Sequence, residues 1–124
     1  MQYAILCYDS EEVVCAWTKE QDEAAVAALG TVTQKLSGEK RLKAVGRLMP
    51  TTAATTVRKG KEAVVMDGPF AETKEQLLGF FIVDCETLDQ AIDAAKELAR
   101  VSDHSPGAFE VRPLRMFSQA RPAP

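Results

Sequence analysis

Two copies of one helix-start signature, Thr18-Lys19-Glu20-Gln21 and Thr87-Leu88-Asp89-Gln90, constrain this chain more than any other feature. In each, a threonine hydroxyl and the glutamine three residues on can satisfy backbone donors that the first turn of a helix leaves free. Each signature is preceded by a short apolar segment and its helix is followed by another, so the chain reads twice as strand, helix, strand. The first unit runs from Tyr3–Tyr8, with Tyr3, Ile5 and Cys7 on one face, through a helix to about Ser37, and into a strand over Leu42–Leu48 that Met49-Pro50 ends. The helix carries Val26, Leu29, Thr33 and Leu36, supported by Ala25 and Val32, as one apolar stripe. The second unit runs from Leu78–Asp84 through a helix with Leu88, Ala91, Ile92, Ala95, Leu98 and Ala99 at helical spacing to a strand over Phe109–Leu114.

Between the units, Thr51–Arg58 and Glu62–Asp67 flank Lys59-Gly60-Lys61, a flexible basic turn suited to a hairpin. The order strand, helix, strand, hairpin, strand, helix, strand predicts an α+β fold: a ferredoxin-like βαββαβ unit with an inserted β-hairpin. In Leu78–Asp84, Leu78, Phe80 and Ile82 alternate with Gly79, Phe81 and Val83, which predicts a strand covered on both sides. Helices cover only one face of such a sheet. The other is expected to expose apolar side chains such as Phe81 and Val83, and burial against a second copy, a homodimer, is the simplest remedy.

At 124 residues the chain is long enough for one domain with its own core. A net charge of −3 with interspersed signs lacks the phosphate-neutralising surface that nucleic-acid binding needs. No apolar run is long enough to span a bilayer, and Met1-Gln2-Tyr3-Ala4 shows no basic flank or cleavage pattern of a secretory signal. Cys7, Cys15 and Cys85 have no CxxC or CxxH spacing, so buried, reduced thiols in the cytoplasm are expected and a metal site is not. No cofactor motif is present in the expectation.

The densest chemistry lies in Asp67-Gly68-Pro69-Phe70-Ala71-Glu72-Thr73-Lys74-Glu75-Gln76. Read as a shaped connection, Asp67 opens a turn, Gly68 takes dihedrals closed to other residues, and Phe70 plugs the loop into the core. Read as a site, Asp67 and Glu72 are proton acceptors in a cleft, with Lys74 beside a substrate oxyanion. His104, the only histidine, sits in the loop Ser102-Asp103-His104-Ser105-Pro106 and is the natural proton shuttle. Arg47, Arg58 and Arg112 are candidates for holding an anion; Arg112 stands in an otherwise apolar strand, and Glu110 is its competing ion-pair partner.

The same run, together with Thr55-Thr56-Val57-Arg58, Leu77–Asp84 and Glu110-Val111-Arg112-Pro113, resembles the DGPF branch of the YCII-related family. The resemblance covers most of the chain, giving a domain over residues 1–116 and a tail over 117–124. It implies a dimeric α/β barrel, two ferredoxin-like subunits with their sheets face to face, and a cleft between sheet, signature loop and partner subunit. The family signature names no substrate; joined to the reading of the residues it gives the expectation of a small, aromatic or carboxylate-bearing metabolite in that cleft, with cofactor-independent, lyase-like acid/base chemistry by Asp67, Glu72 or His104 and with Phe70, Lys74 and Arg112 toward the ligand. Some enzymes of the wider superfamily use a histidine–aspartate pair whose histidine comes from the first helix region; this chain has none there, so the pair does not carry over to it. Family members are often encoded near extracytoplasmic-function sigma factors, which implies an alternative role as a regulatory or interaction module.

Overall fold

A computed structural model describes residues 1–118; the rest of the expected tail, 119–124, lies outside the described residues. The elements are β1 (Gln2–Ser10), α1 (Glu11–Cys15), α2 (Lys19–Gly38), β2 (Leu42–Arg47), β3 (Thr55–Val57), β4 (Val65–Asp67), β5 (Glu75–Asp84), α3 (Leu88–Arg100) and β6 (Ala108–Pro113). The main sheet has the order β2-β5-β1-β6, and every neighbouring pair is antiparallel. Each long helix therefore carries the chain over one intervening strand: α2 from β1 across β5 to β2, and α3 from β5 across β1 to β6. This is the ferredoxin-like arrangement. β3 and β4 pair as a separate hairpin.

Both long helices start where the sequence places them. Thr18 accepts from the Gln21 amide at 3.1 Å while Gln21 returns a bond to the Thr18 amide at 2.9 Å, a complete capping box. At α3, Thr87 accepts from the Gln90 amide, but the Gln90 side chain reaches one residue further back, to the Glu86 amide at 2.8 Å. The short α1 was not expected. Ser10 caps it, and its Glu11 carboxylate accepts from both the amide and the hydroxyl of Thr51, which ties the β2–β3 connection to the end of β1.

Tyr3, Ile5, Phe81 and Val83 on the sheet meet Val32 and Leu36 of α2 and Ala91, Ala94, Ala95 and Leu98 of α3 in one core. The alanines let α3 lie close to the strands. Ile5, Val83 and Leu98 are fully buried, each contributing roughly 1.5–3 kcal/mol. This corrects the expectation for β5. Register pairs Ile5 with Phe81 and Tyr3 with Val83, so Phe81 (6% exposed) and Val83 (0%) lie under the helices rather than on the open face. The face away from the helices carries the other parity, Ala4, Leu6, Phe80 and Ile82, with Leu6 opposite Phe80, both half-buried, and Ala4 opposite Ile82, both buried. Across β2, Gly46 leaves room for the Phe80 ring; a Cβ there would stand 2.4 Å from its Cζ.

The thiols also depart in part from expectation. Cys85 is buried, Cys7 is partly buried, and Cys15 at the end of α1 is exposed. Among the described residues, no helix is long and apolar enough to cross a membrane.

Candidate functional site

β1 and β5 pair regularly as far as Cys7 opposite Gly79, then the register slips so that Tyr8 faces Leu77. This bulge re-aims the end of β1. Just beyond it, Asp9 is 8% exposed and accepts three hydrogen bonds: from the Ser10 amide at 2.8 Å, the Gly107 amide at 3.1 Å and the Ser105 hydroxyl at 2.5 Å. A buried carboxylate thus fastens the loop between α3 and β6. Gly107 is required for the approach, since a Cβ there would fall 1.9 Å from the Tyr8 carbonyl oxygen.

The loop so held closes one side of a cavity of about 390 Å³, which lies between the helix-facing side of the sheet, α2 and the residues after α3. Gly30 on α2, Gly79 on β5 and Gly107 on the loop all line it; at Gly30 a Cβ would meet open space, whereas at Gly79 and Gly107 the missing side chain permits close backbone approach. Most of the wall is apolar, with Trp17, Leu29, Phe81 and Phe109 among its side chains. The polar groups include Asp9, Ser102, Asp103, His104 and Ser105 near the loop, Arg47 on β2 and Thr33 on α2. Such an enclosure, apolar with a few convergent polar groups, has the size of a small-ligand site.

His104 stands against Trp17, ring centroids 5.0 Å apart and tilted by 51°, with its side chain 40% exposed. Its Nδ1 lies 4.0 Å from the Asp103 carboxylate. The mouth opens between α2 and β2, where Val26 and Val45 line the cavity and are about half exposed. At the edge of this opening Arg47, itself on the cavity wall, donates to both oxygens of Asp22, which stands one helical turn before Val26, at 2.5 and 3.3 Å. That forked bond holds the Asp22 carboxyl below and the Arg47 guanidinium above their ordinary values. Cys7 sits on the wall; burial first, then the neighbouring Asp9 charge, pushes its thiol up to about 11.

Of the residues singled out in the sequence, His104 and Arg47 are brought to this cavity, and Arg58 is not. Asp67 lies in β4 opposite Thr55, exposed. Glu72 and Lys74 are exposed on the following loop. Phe70 does not plug that loop into the core: it is 76% exposed, and the Arg58 guanidinium lies 5.5 Å from its ring centre. Arg112 is exposed on β6 with its Nε 3.9 Å from Glu110. The loop is shaped by its backbone instead: Gly68 has φ +94°, donates to the Ala54 carbonyl, and accepts from the Thr56 hydroxyl at 2.7 Å. Asp9 escaped notice because an aspartate after a strand reads as a turn residue. Its signal was distant: the Ser105-Pro106-Gly107 clip that supplies its donors.

A four-stranded antiparallel sheet with both long helices on one face, and a ligand-sized cavity between sheet and helices, defines a ferredoxin-like α+β protein with an internal cavity. The YCII-related domain matches residues 1–118, and the chain belongs to that family. An uncharacterised protein of Rhizobium meliloti strain 1021 is 51% identical over 118 residues, covering 94% of each chain. Among solved structures, 5-chloro-2-hydroxyhydroquinone dehydrochlorinase from Burkholderia phenoliruptrix AC1100, in complex with 2,5-dihydroxybenzoquinone, resembles this fold. The two share 14% identity over 93% of this chain and 94% of that one, with a TM-score of 0.51, a likeness of fold alone.

Proposed function

We propose that this YCII-related protein binds a small ring metabolite in the cavity and moves a proton on it without a cofactor, with His104 as the proton carrier. The observation that carries this reading is the placement of His104 on the wall, against Trp17, on a loop fastened by Asp9. An imidazole is the side chain best suited to taking and returning a proton near neutral pH. Asp9 acts as a positioning residue, since its bonds hold the loop and not the histidine itself. An elimination needs one group to accept the proton as the leaving group departs, and a fold neighbour named as a dehydrochlorinase is in keeping with that class. In this reading Asp67, Glu72, Phe70, Lys74 and Arg112 take no part within one subunit.

The test uses Trp17, the only tryptophan of the chain, as a built-in reporter on the cavity wall. Ring compounds with an exchangeable C–H are titrated while its fluorescence is followed, and exchange in deuterium oxide is measured by NMR. Ligands are expected to quench Trp17, and His104→Gln is expected to retain binding while losing catalysed exchange. A series of rings that leaves both fluorescence and melting temperature unchanged would end this reading.

The dimer of the α/β barrel type belongs to the same proposal. Leu6 and Phe80 stand opposite one another, half-buried, on the sheet face away from the helices, a surface suited to a second copy. Light scattering is expected to give twice the chain mass, and Phe80→Asp to give monomers; a native protein that is monomeric at high concentration would count against it. A regulatory or interaction role is favoured by one other observation: Val57, Val64, Val65, Met66 and Phe70, on and beside the β3–β4 hairpin, are all exposed. A sigma factor captured by the native protein but not by Val65→Asp would support that role; equal capture by both would dismiss the hairpin as the contact.

A further inference from the structure

We propose that the cavity selects uncharged rings, and that the Asp22–Arg47 pair at the edge of its mouth is the device that turns carboxylates away. The inference rests on the reading of the cavity as a ligand site. Sequence alone marks Arg47 as a residue for holding an anion, but its surroundings oppose that use.

The charged groups lining the cavity are Asp9, Asp103, Arg47 and, when protonated, His104. Arg47 is the one cation among them that stays charged across the physiological range. Its guanidinium fork is already filled by the two oxygens of Asp22, which stands on the first turn of α2. A ligand carboxylate would have to displace Asp22 while facing Asp9 and Asp103. The one positive group that stays charged is thus already paired, so the chamber offers an anion no free partner.

A cation gains little either. Asp9 is satisfied by three donors from the protein, and Asp103 is 87% exposed, where water weakens its pull. Between these groups the wall is Val14, Trp17, Leu29, Phe81 and Phe109, surface that rewards a flat apolar body. An uncharged ring with a hydrogen-bonding substituent near His104 meets every part of the lining without leaving a charge unpaired.

Benzamide, benzoate and benzamidine have nearly the same shape and differ in charge, so they isolate the effect. Each is titrated into the native protein with Trp17 fluorescence as the readout. Benzamide is expected to bind best, with benzoate weaker by about fivefold or more, the scale of an ion pair that must be displaced at a partly exposed site. Asp22→Asn keeps the shape of the mouth and frees the guanidinium, so benzoate is expected to recover most of that deficit. Arg47→Gln removes the cation and is expected to leave benzoate weak.

Benzoate or benzamidine binding more tightly than benzamide would overturn the selectivity, as would an Asp22→Asn protein whose benzamide-to-benzoate ratio is unchanged. Those results leave the cavity as a ligand site. Absence of any response to all three rings, in fluorescence and in melting temperature, overturns the ligand site and the selectivity together.

Discussion

The Ser105 hydroxyl donates to the buried carboxylate of Asp9 at 2.5 Å, joining the end of the first strand to the loop that carries the only histidine. With the Gly107 and Ser10 amides also donating to Asp9, one side chain sets the position of a whole cavity wall. Replacing it strands three donors. Asp9→Ala is therefore expected to lower stability by about 2–3 kcal/mol, the range for losing hydrogen bonds to a buried charged group. Urea unfolding checks this, and an effect under 0.5 kcal/mol would mean that the clip is incidental.

Two glycines of the cavity wall should respond with opposite signs. Gly107→Ala places a methyl group 1.9 Å from the Tyr8 carbonyl oxygen, a rigid backbone atom, and should cost about 3 kcal/mol or prevent folding. Gly30 lies inside α2 with nothing within 4 Å of its would-be Cβ. Gly30→Ala should raise stability by about 0.5–1 kcal/mol, because alanine removes the helix penalty of glycine. Melting curves of the two variants check the sign.

The capping box of α2 gives a prediction independent of the site. Thr18→Ala removes the acceptor of the Gln21 amide and leaves that donor to solvent. A loss of about 1 kcal/mol is expected in urea unfolding, with the slope of the transition unchanged.

Cys7 supplies a pH dependence. Its thiol is raised from 9.0 to about 11 in the folded chain, by burial first and by the Asp9 charge second. The folded state therefore keeps a proton that the unfolded state has released, so this contribution is present in full below pH 9 and lost as pH rises toward about 11. Cys7→Ala is expected to flatten the decline in stability over that window. At neutral pH, alkylation followed by mass spectrometry should find the exposed Cys15 modified well before Cys7 or Cys85.

The elements themselves were legible in local chemistry. Thr18 and Thr87 mark helix starts because the free donors of a first turn can be met within a few residues, and both helices begin there. Met49-Pro50 stops β2, and Lys59-Gly60-Lys61 turns the hairpin, for equally local reasons. The order of strands and helices then left few ways to build a sheet, and the ferredoxin-like order β2-β5-β1-β6 is the one observed.

The sequence by itself thus determined the four strands of the sheet, the two long helices and the hairpin, where the long helices start, and in what order these can pack, because caps, turns and periodicity act over a few residues; it missed α1 and began β5 three residues late. Only the tertiary structure decided which side of each segment matters. Alternation in β5 separates Phe80 and Ile82 from Phe81 and Val83 but carries no sign, since both sets are apolar; pairing with Tyr3 and Ile5 chose the buried set. Asp9 and Ser105 lie far apart in the chain, and no local rule joins them. Their contact, the cavity it closes, and the pairing of Arg47 with Asp22 arise from non-local packing, which is why the chamber formed beside His104 and not beside the conspicuous run at Asp67.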